Sequence, residues 1–316
     1  MVMLLWKKQI CRSDEGISME QKTGTNSAML KAVKVLHALV EHEDLEKQRL
    51  AQKNFGGILS KIKDLEYKEF ELDGIACEWS CVKQSHMKKN VILYCHGGGY
   101  TSGSYQYARN ITNKLAINTS MDVLSFNYRL APEHPYPAAL EDAVKIWDHL
   151  MYLGYGAGDV IVAGDSAGGN LALTLVRKLK EQGRILPKGL VLFSPFTDLT
   201  LSGKSYEDKK EEDPILTREY LQKSVECYGG ENNLKDPFLS PVYGEFQGFP
   251  PTYIQVGTNE ILFSDSFRLH KQMQKYCVPV KMESYQGMWH IFQMSPLKTA
   301  NHAMEKVAQF IFEICR

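Results

Sequence analysis

An α/β fold with a mostly parallel central sheet flanked by helices is predicted by three observations. Short apolar runs recur from Leu65 onward, each closes in a turn rich in glycine or polar residues, and helical patterns lie between several of them. At 316 residues and 44% apolar content, the chain can bury one large domain with an accessory element, or two domains at most. In such a sheet, functional residues are expected just past the C-terminal ends of the strands.

Taken in order, residues 1–60 read as helical. Leu30, Val33, Val35, Leu36, Leu39 and Val40 recur at helical spacing among Lys and Glu, which fits a surface helix pair or a lid. Residues 66–82 partly alternate and predict two strands turning at Asp73-Gly74. The run Val91–Cys95 ends in His96-Gly97-Gly98-Gly99, and the run 123–126 ends in Asn127-Tyr128-Arg129-Leu130-Ala131-Pro132. The run 160–163 leads into Gly164-Asp165-Ser166-Ala167-Gly168-Gly169. The runs 190–193 and 253–256 end in Ser194-Pro195 and Gly257-Thr258, and 280–283 leads to Tyr285-Gln286-Gly287. Helices are clearest over 138–153 and 171–179. Residues 199–235 are polar, carry a charge run over 208–213 ending in Asp213-Pro214, and read as a helical insertion whose charge run is a solvated face.

Several function classes are excluded by composition. Lys+Arg and Asp+Glu balance at 37 each, so nothing points to nucleic acid or an anionic membrane. Seven cysteines at scattered positions do not form a disulfide framework and suggest free thiols in the cytoplasm. Cys77 and Cys81 lack a second pair or a nearby His, so no metal site is expected. The N-terminal apolar stretch is too short, and its lysines fall on the wrong side, for a secretory signal; no window is long enough for a membrane span.

Chemistry concentrates at four places. The segment 164–168 fits the G-x-S-x-G elbow, in which a sharp strand-to-helix turn presents a nucleophilic serine, here Ser166. Such a match is weak alone. It gains weight from the apolar run before it and the helical pattern after it. Consecutive glycines at 97–99 can turn backbone N–H groups toward one point, as acyl transfer requires where negative charge develops. A serine nucleophile needs a base and the base a carboxylate, in the chain order Ser, acid, His. Of nine histidines only His270, His290 and His302 follow Ser166; His270 and His302 fall in helical patterns, and His290 follows a strand and a turn. Glu260 is the first acidic residue after the run 253–256. Asp265, inside the next helix, is its rival, and Asp198 is a weaker one. His96 is better suited to holding the glycine loop by hydrogen bonds than to acting as base.

Together these motifs resemble the hormone-sensitive lipase family of α/β-hydrolase carboxylesterases, in its bacterial acetyl and short-chain esterase form. The resemblance rests on His96-Gly97-Gly98-Gly99, on Asn127 to His134 with Tyr136-Pro137-Ala138-Ala139, and on Gly164 to Gly169, in that order, and it covers roughly 65–315. Ser194-Pro195, Thr197-Asp198-Leu199, Asp213-Pro214 and 257–262 also fit. It implies a catalytic domain over 61–316 and a helical cap built from 1–60 and an insertion at about 199–235. It implies a Ser166–Glu260–His290 triad and oxyanion donors from Ala167 and from two of the amides of Gly97, Gly98 and Gly99, which two being left open. The acid is Glu where Asp is more familiar. Tyr100 and Phe196 are candidate pocket residues with no fixed family role, and ordinary packing is the favoured reading for each. The implied activity is hydrolysis of short- to medium-chain esters of small molecules without metal or cofactor. Apart from the resemblance, the lack of a span-length window predicts no membrane insertion, and the frequency of symmetric dimers makes a homodimer the expected assembly. Two other readings compete: an amidase or deacetylase of small acetylated substrates, and a ligand-binding module on the same scaffold. Retention of Ser166, Glu260 and His290 argues against binding alone.

Overall fold

The protein is described by a computed structural model over residues 17–20, 45–47, 49–50, 62–83 and 89–316. Its strands are β1 (Ile17–Glu20), β2 (Leu65–Leu72), β3 (Ile75–Val82), β4 (Val91–Cys95), β5 (Asp122–Phe126), β6 (Val160–Asp165), β7 (Gly189–Phe193), β8 (Thr252–Gly257) and β9 (Val280–Tyr285). Its helices are α1 (Tyr105–Thr119), α2 (Ala138–Tyr152), α3 (Ala167–Glu181), the short α4 (Ser205–Asp208), α5 (Arg218–Gly229), α6 (Phe263–Lys275) and α7 (Lys298–Cys315).

The strands form one sheet in the order β1-β9-β8-β7-β6-β4-β5-β3-β2. β2 and β3 pair antiparallel with each other, and β3 pairs antiparallel with β5; every other pairing is parallel. β4, β5, β6, β7 and β8 are buried along their whole lengths, which is why each is built on a mostly apolar run. Successive side chains of β4 serve two separate cores. Val91, Leu93 and Cys95 pack with Ile146 and Leu150 of α2, Leu171 and Leu175 of α3, and Leu269 and Met273 of α6. Ile92 and Tyr94 pack on the other face with Ile111 and Leu115 of α1 and Val307 and Ile311 of α7. Each fully buried Leu or Ile of this kind contributes about 1.5–3 kcal/mol.

Some features differ from expectation. α1 carries Arg109, Thr112 and Asn113 on its buried side, so its apolar period is broken; Ser104 caps it by accepting the Tyr107 amide at 3.2 Å. Within 1–60, residues 17–20 are an edge strand parallel to β9 and not helix; the sequence Ile17-Ser18-Met19-Glu20 alternates in strand fashion. Residues 45–47 and 49–50 are helical, and the remainder of that expected cap segment lies outside the described residues. Arg49 fastens its segment to the loops beside the glycine turn. It donates to Thr101 O at 2.7 Å and Ala131 O at 2.8 Å, and forks onto both Glu133 carboxylate oxygens at 2.8 Å. Between β7 and β8 the insertion contains α4 and α5. Its charge run faces solvent except at the last residue, since Asp213 is only 5% exposed. No helix among the described residues is long and apolar enough to cross a membrane.

Candidate active site

Parallel pairing brings the C-terminal ends of β4, β6, β7, β8 and β9 to one edge, and the chemistry-bearing residues follow those ends. β6 runs to Asp165, and Ser166 makes the sharp turn into α3 at φ 53°, ψ −121°. Such a conformation costs a non-glycine residue of order 1–3 kcal/mol and persists only when its surroundings fix it. Here the Ser166 amide donates to Phe193 O at 2.9 Å, and its carbonyl accepts from Gly169 N and Phe196 N, both at 3.0 Å. The end of β7 therefore grips the elbow from both sides. Gly168 is required by close approach: a Cβ there would lie 2.1 Å from Cys95 O and 2.4 Å from His96 O.

His290 is 2% exposed and its Nδ1 lies 2.8 Å from Glu260 Oε2. With Nδ1–H donating to that carboxylate, Nε2 is left as the acceptor nitrogen. The other oxygen, Glu260 Oε1, accepts from Ser194 Oγ at 2.7 Å and from the Gly257 amide at 2.5 Å. Burial by itself lowers the pKa of His290. The hydrogen bond and charge of Glu260, joined by the charges of Asp213 and Asp165, outweigh burial and hold it above the usual histidine value. Two loops are laced together to keep this geometry. Thr258 N donates to Tyr285 O at 3.1 Å, Asn259 N to Met288 O at 2.9 Å, and Gly287 N to Thr258 Oγ1 at 2.9 Å.

Neither rival acid reaches His290. Asp265 Oδ2 accepts the amides of Thr197 at 2.8 Å and Asp198 at 2.9 Å, and its Oδ1 accepts from Tyr206 OH at 3.0 Å. Asp198 binds Thr200, Ser202 and, at 2.5 Å, Arg268. His302 pairs with Glu305 on α7, and His270 is buried on α6, pushed down to about 4 by burial.

The glycine turn has one committed amide, which narrows the choice among Gly97, Gly98 and Gly99. The Gly97 amide donates to Asp165 Oδ1 at 2.9 Å, so it is not available to a developing oxyanion. The cause is the buried Asp165 carboxylate, which also accepts from Tyr94 OH at 2.6 Å and lies so near that a Cβ on Gly97 would be 2.2 Å from its Oδ2. The amides of Gly98, Gly99 and Ala167 have no acceptor among the described residues. Gly98 sits at φ 117°, and its carbonyl takes Thr101 N at 3.1 Å and Ser102 N at 2.9 Å, closing the turn. His96 supports it as expected from its position: Nδ1 bonds Gly97 O at 2.8 Å and the ring stacks on Tyr128 at 4.1 Å. Burial lowers that imidazole to about 4, which keeps it neutral.

Tyr100 and Phe196, the candidate pocket residues, are each 1% exposed and act in packing. Tyr100 stacks on Tyr228 of α5 at 3.6 Å and donates to Asn170 Oδ1 at 2.8 Å. Asn170 in turn donates to Phe196 O and Leu239 O, both at 2.8 Å, binding the glycine turn, α3 and the loop after β7 into one unit. Sequence reasoning missed Asn170 and Ser194 in these roles. Their one signal is adjacency to the elbow and to a strand end. α5 closes over the turn, since a Cβ on Gly99 would meet Ser224 Oγ at 2.6 Å and Tyr220 OH at 3.1 Å.

Comparison with known proteins finds the same fold in esterases. A family profile described as alpha/beta hydrolase fold matches residues 92–294. The chain is 37% identical over 232 residues to an esterase of Acinetobacter venetianus, covering 72% of this chain and 77% of that one. It is 36% identical over 215 residues to an acetyl-hydrolase of Streptomyces hygroscopicus, covering 68% and 71%. Among solved structures it resembles a hormone-sensitive lipase from a metagenome library at 33% identity and TM-score 0.85, over 91% of this chain and 98% of that one. It also resembles an esterase of the bacterial hormone-sensitive lipase family at 28% identity and TM-score 0.87, over 92% and 98%.

Proposed function

The chain belongs to the hormone-sensitive lipase family of the alpha/beta hydrolase fold, as a carboxylesterase, and we propose that it cleaves short- to medium-chain acyl esters through Ser166, His290 and Glu260. The observation that carries this reading is the 2.8 Å bond between His290 Nδ1 and Glu260 Oε2, at the same sheet edge as the strained Ser166 turn.

His290 Nε2 takes the Ser166 proton as Oγ attacks the ester carbonyl. Glu260 holds the imidazole in that tautomer and stabilises its charged form. The tetrahedral oxyanion is met by the amides of Ala167 and of Gly98 and Gly99, the two glycines whose N–H groups are uncommitted. The alcohol leaves with the proton from His290. Water then attacks the acyl-enzyme with His290 again as base, and the acid is released. α5 and the segment carrying Arg49 form the cap over this edge. The six cysteines of the described residues are free thiols, which supports a cytoplasmic setting.

A second reading, release of acetyl groups from small esters or amides, is favoured by the relative named acetyl-hydrolase. A p-nitrophenyl ester series from acetate to decanoate, run beside acetanilides, tests both. The proposal expects turnover of acetate to hexanoate esters well above the anilides, abolished in Ser166→Ala. Equal turnover by Ser166→Ala contradicts it.

A further inference from the structure

Asp213 stands at the end of a charge run in the insertion, yet it is buried with no basic side chain bonded to it among the described residues. Its Oδ1 accepts the amides of Ile215 and Leu216, both at 2.9 Å, which closes the turn after Asp213-Pro214. Its Oδ2 reaches across 48 residues and accepts the amide of Ile261 at 2.8 Å. Ile261 directly follows Glu260. We propose that Asp213 is a positioning residue for the Glu260–His290 pair: it fixes the peptide after Glu260 from the insertion side and lends a second negative charge to His290.

This role rests on the catalytic reading above. Glu260 Oε1 is held from the core side by Ser194 and the Gly257 amide. Without Asp213, the peptide between Glu260 and Ile261 has a buried N–H with no partner, and the loop loses its tie to the insertion. A carboxylate is suited to this task because it is acceptor-only and has two oxygens, one for the turn and one for Ile261. The charges of three carboxylates act on His290: Glu260 from the loop after β8, Asp213 from the insertion and Asp165 from the end of β6. Asp213 itself is pushed up to about 6 by burial, against the opposing effects of His290 and its three bonded amides. The cap insertion and the catalytic acid are thus mechanically one piece, and a change in the insertion registers at His290 through this bond.

Asp213→Asn and Asp213→Ser separate the roles. Asn removes the charge, and with Oδ1 kept on the turn it presents a donor to the Ile261 N–H. Ser retains a hydroxyl oxygen for the Ile215 and Leu216 amides but is too short to reach Ile261, so it serves as the test if the Asn variant does not fold. The readouts are kcat and KM for p-nitrophenyl butyrate between pH 5 and 9, with melting temperature alongside. The proposal predicts a kcat loss of about tenfold or more, part of the ~10²–10⁴ that a positioned acid–base group supplies. It also predicts a nearly constant KM and an acid limb of the kcat profile moved to lower pH, because His290 loses a stabilising charge. A folded variant with wild-type kcat and an unmoved acid limb overturns it, even with a lowered melting temperature. Failure of the catalytic reading is seen separately, as activity retained in Ser166→Ala with Asp213 intact.

Discussion

At the scale of residues, the decisive contact is between His290 and Glu260. Sequence order places the acid after a strand end between Ser166 and His290, but spacing alone leaves Glu260, Asp265 and the weaker Asp198 in competition. The 2.8 Å bond to Glu260 and the commitment of Asp265 to backbone amides separate them. Glu260→Gln removes the charge that helps outweigh burial at His290 and leaves a neutral amide with only one acceptor oxygen. The imidazole is then governed by desolvation and falls to lower pKa. The predicted outcome is a kcat reduced by about 10²–10⁴-fold with the acid limb of the pH profile shifted to lower pH, measured on p-nitrophenyl acetate. An unchanged profile would assign the raised pKa to another partner. Ser166, His290 and the glycine turn are legible because each belongs to a short local pattern. Which two glycines donate is not: nothing near Gly97 in sequence announces that Asp165, 68 residues away, takes its amide. Ser194, Asn170 and Asp213 are hidden for the same reason, since each acts through a contact more than 20 residues distant.

At the scale of elements, the junction of β6 with α3 is set by close approach to the end of β4. Gly168→Ala places a methyl against two backbone carbonyls, Cys95 O and His96 O, which have no rotamer by which to yield. Overpacking of this kind costs typically about 1–3 kcal/mol. The variant is predicted to melt at lower temperature and to lose turnover, because the glycine turn and the elbow move apart together. A thermal melt beside a kcat measurement checks both. The strands β4 to β8 are legible because burial on both faces leaves each largely apolar, even with Ser125 in β5 and Gln255 in β8. α1 is not, because it buries Arg109 in a fork with Glu78 and places Thr112 and Asn113 inward, breaking the 3.6-residue period. β1 has four residues and a single apolar–polar alternation to announce it, and it lies in a region whose other apolar residues repeat at helical spacing.

At the scale of the whole molecule, a parallel sheet gathers five strand ends into one site, and burying that site leaves titratable groups whose protons are linked to folding. Asp265 is pushed up to about 8 by burial and by the neighbouring Asp198, and His290 is raised mainly through Glu260 working against burial. Both bind a proton more tightly in the folded chain than in the unfolded one, so the stability they contribute declines as pH rises through their folded values. The buried His96 and His270 act in the opposite sense, but their effect is complete once unfolded histidine is neutral above about pH 6.5. Between about pH 6.5 and 8 the melting temperature is therefore predicted to fall, and Asp265→Asn to flatten that slope; a rise with pH over this window contradicts the assignment. The central claim is that Ser166 is a serine activated by its surroundings. Fluorophosphonate labelling followed by peptide mass analysis tests it most directly. The account predicts one covalent adduct, on the peptide containing Ser166, absent in Ser166→Ala and slowed in His290→Ala. An unlabelled folded wild-type protein, or an adduct on another serine, would contradict it.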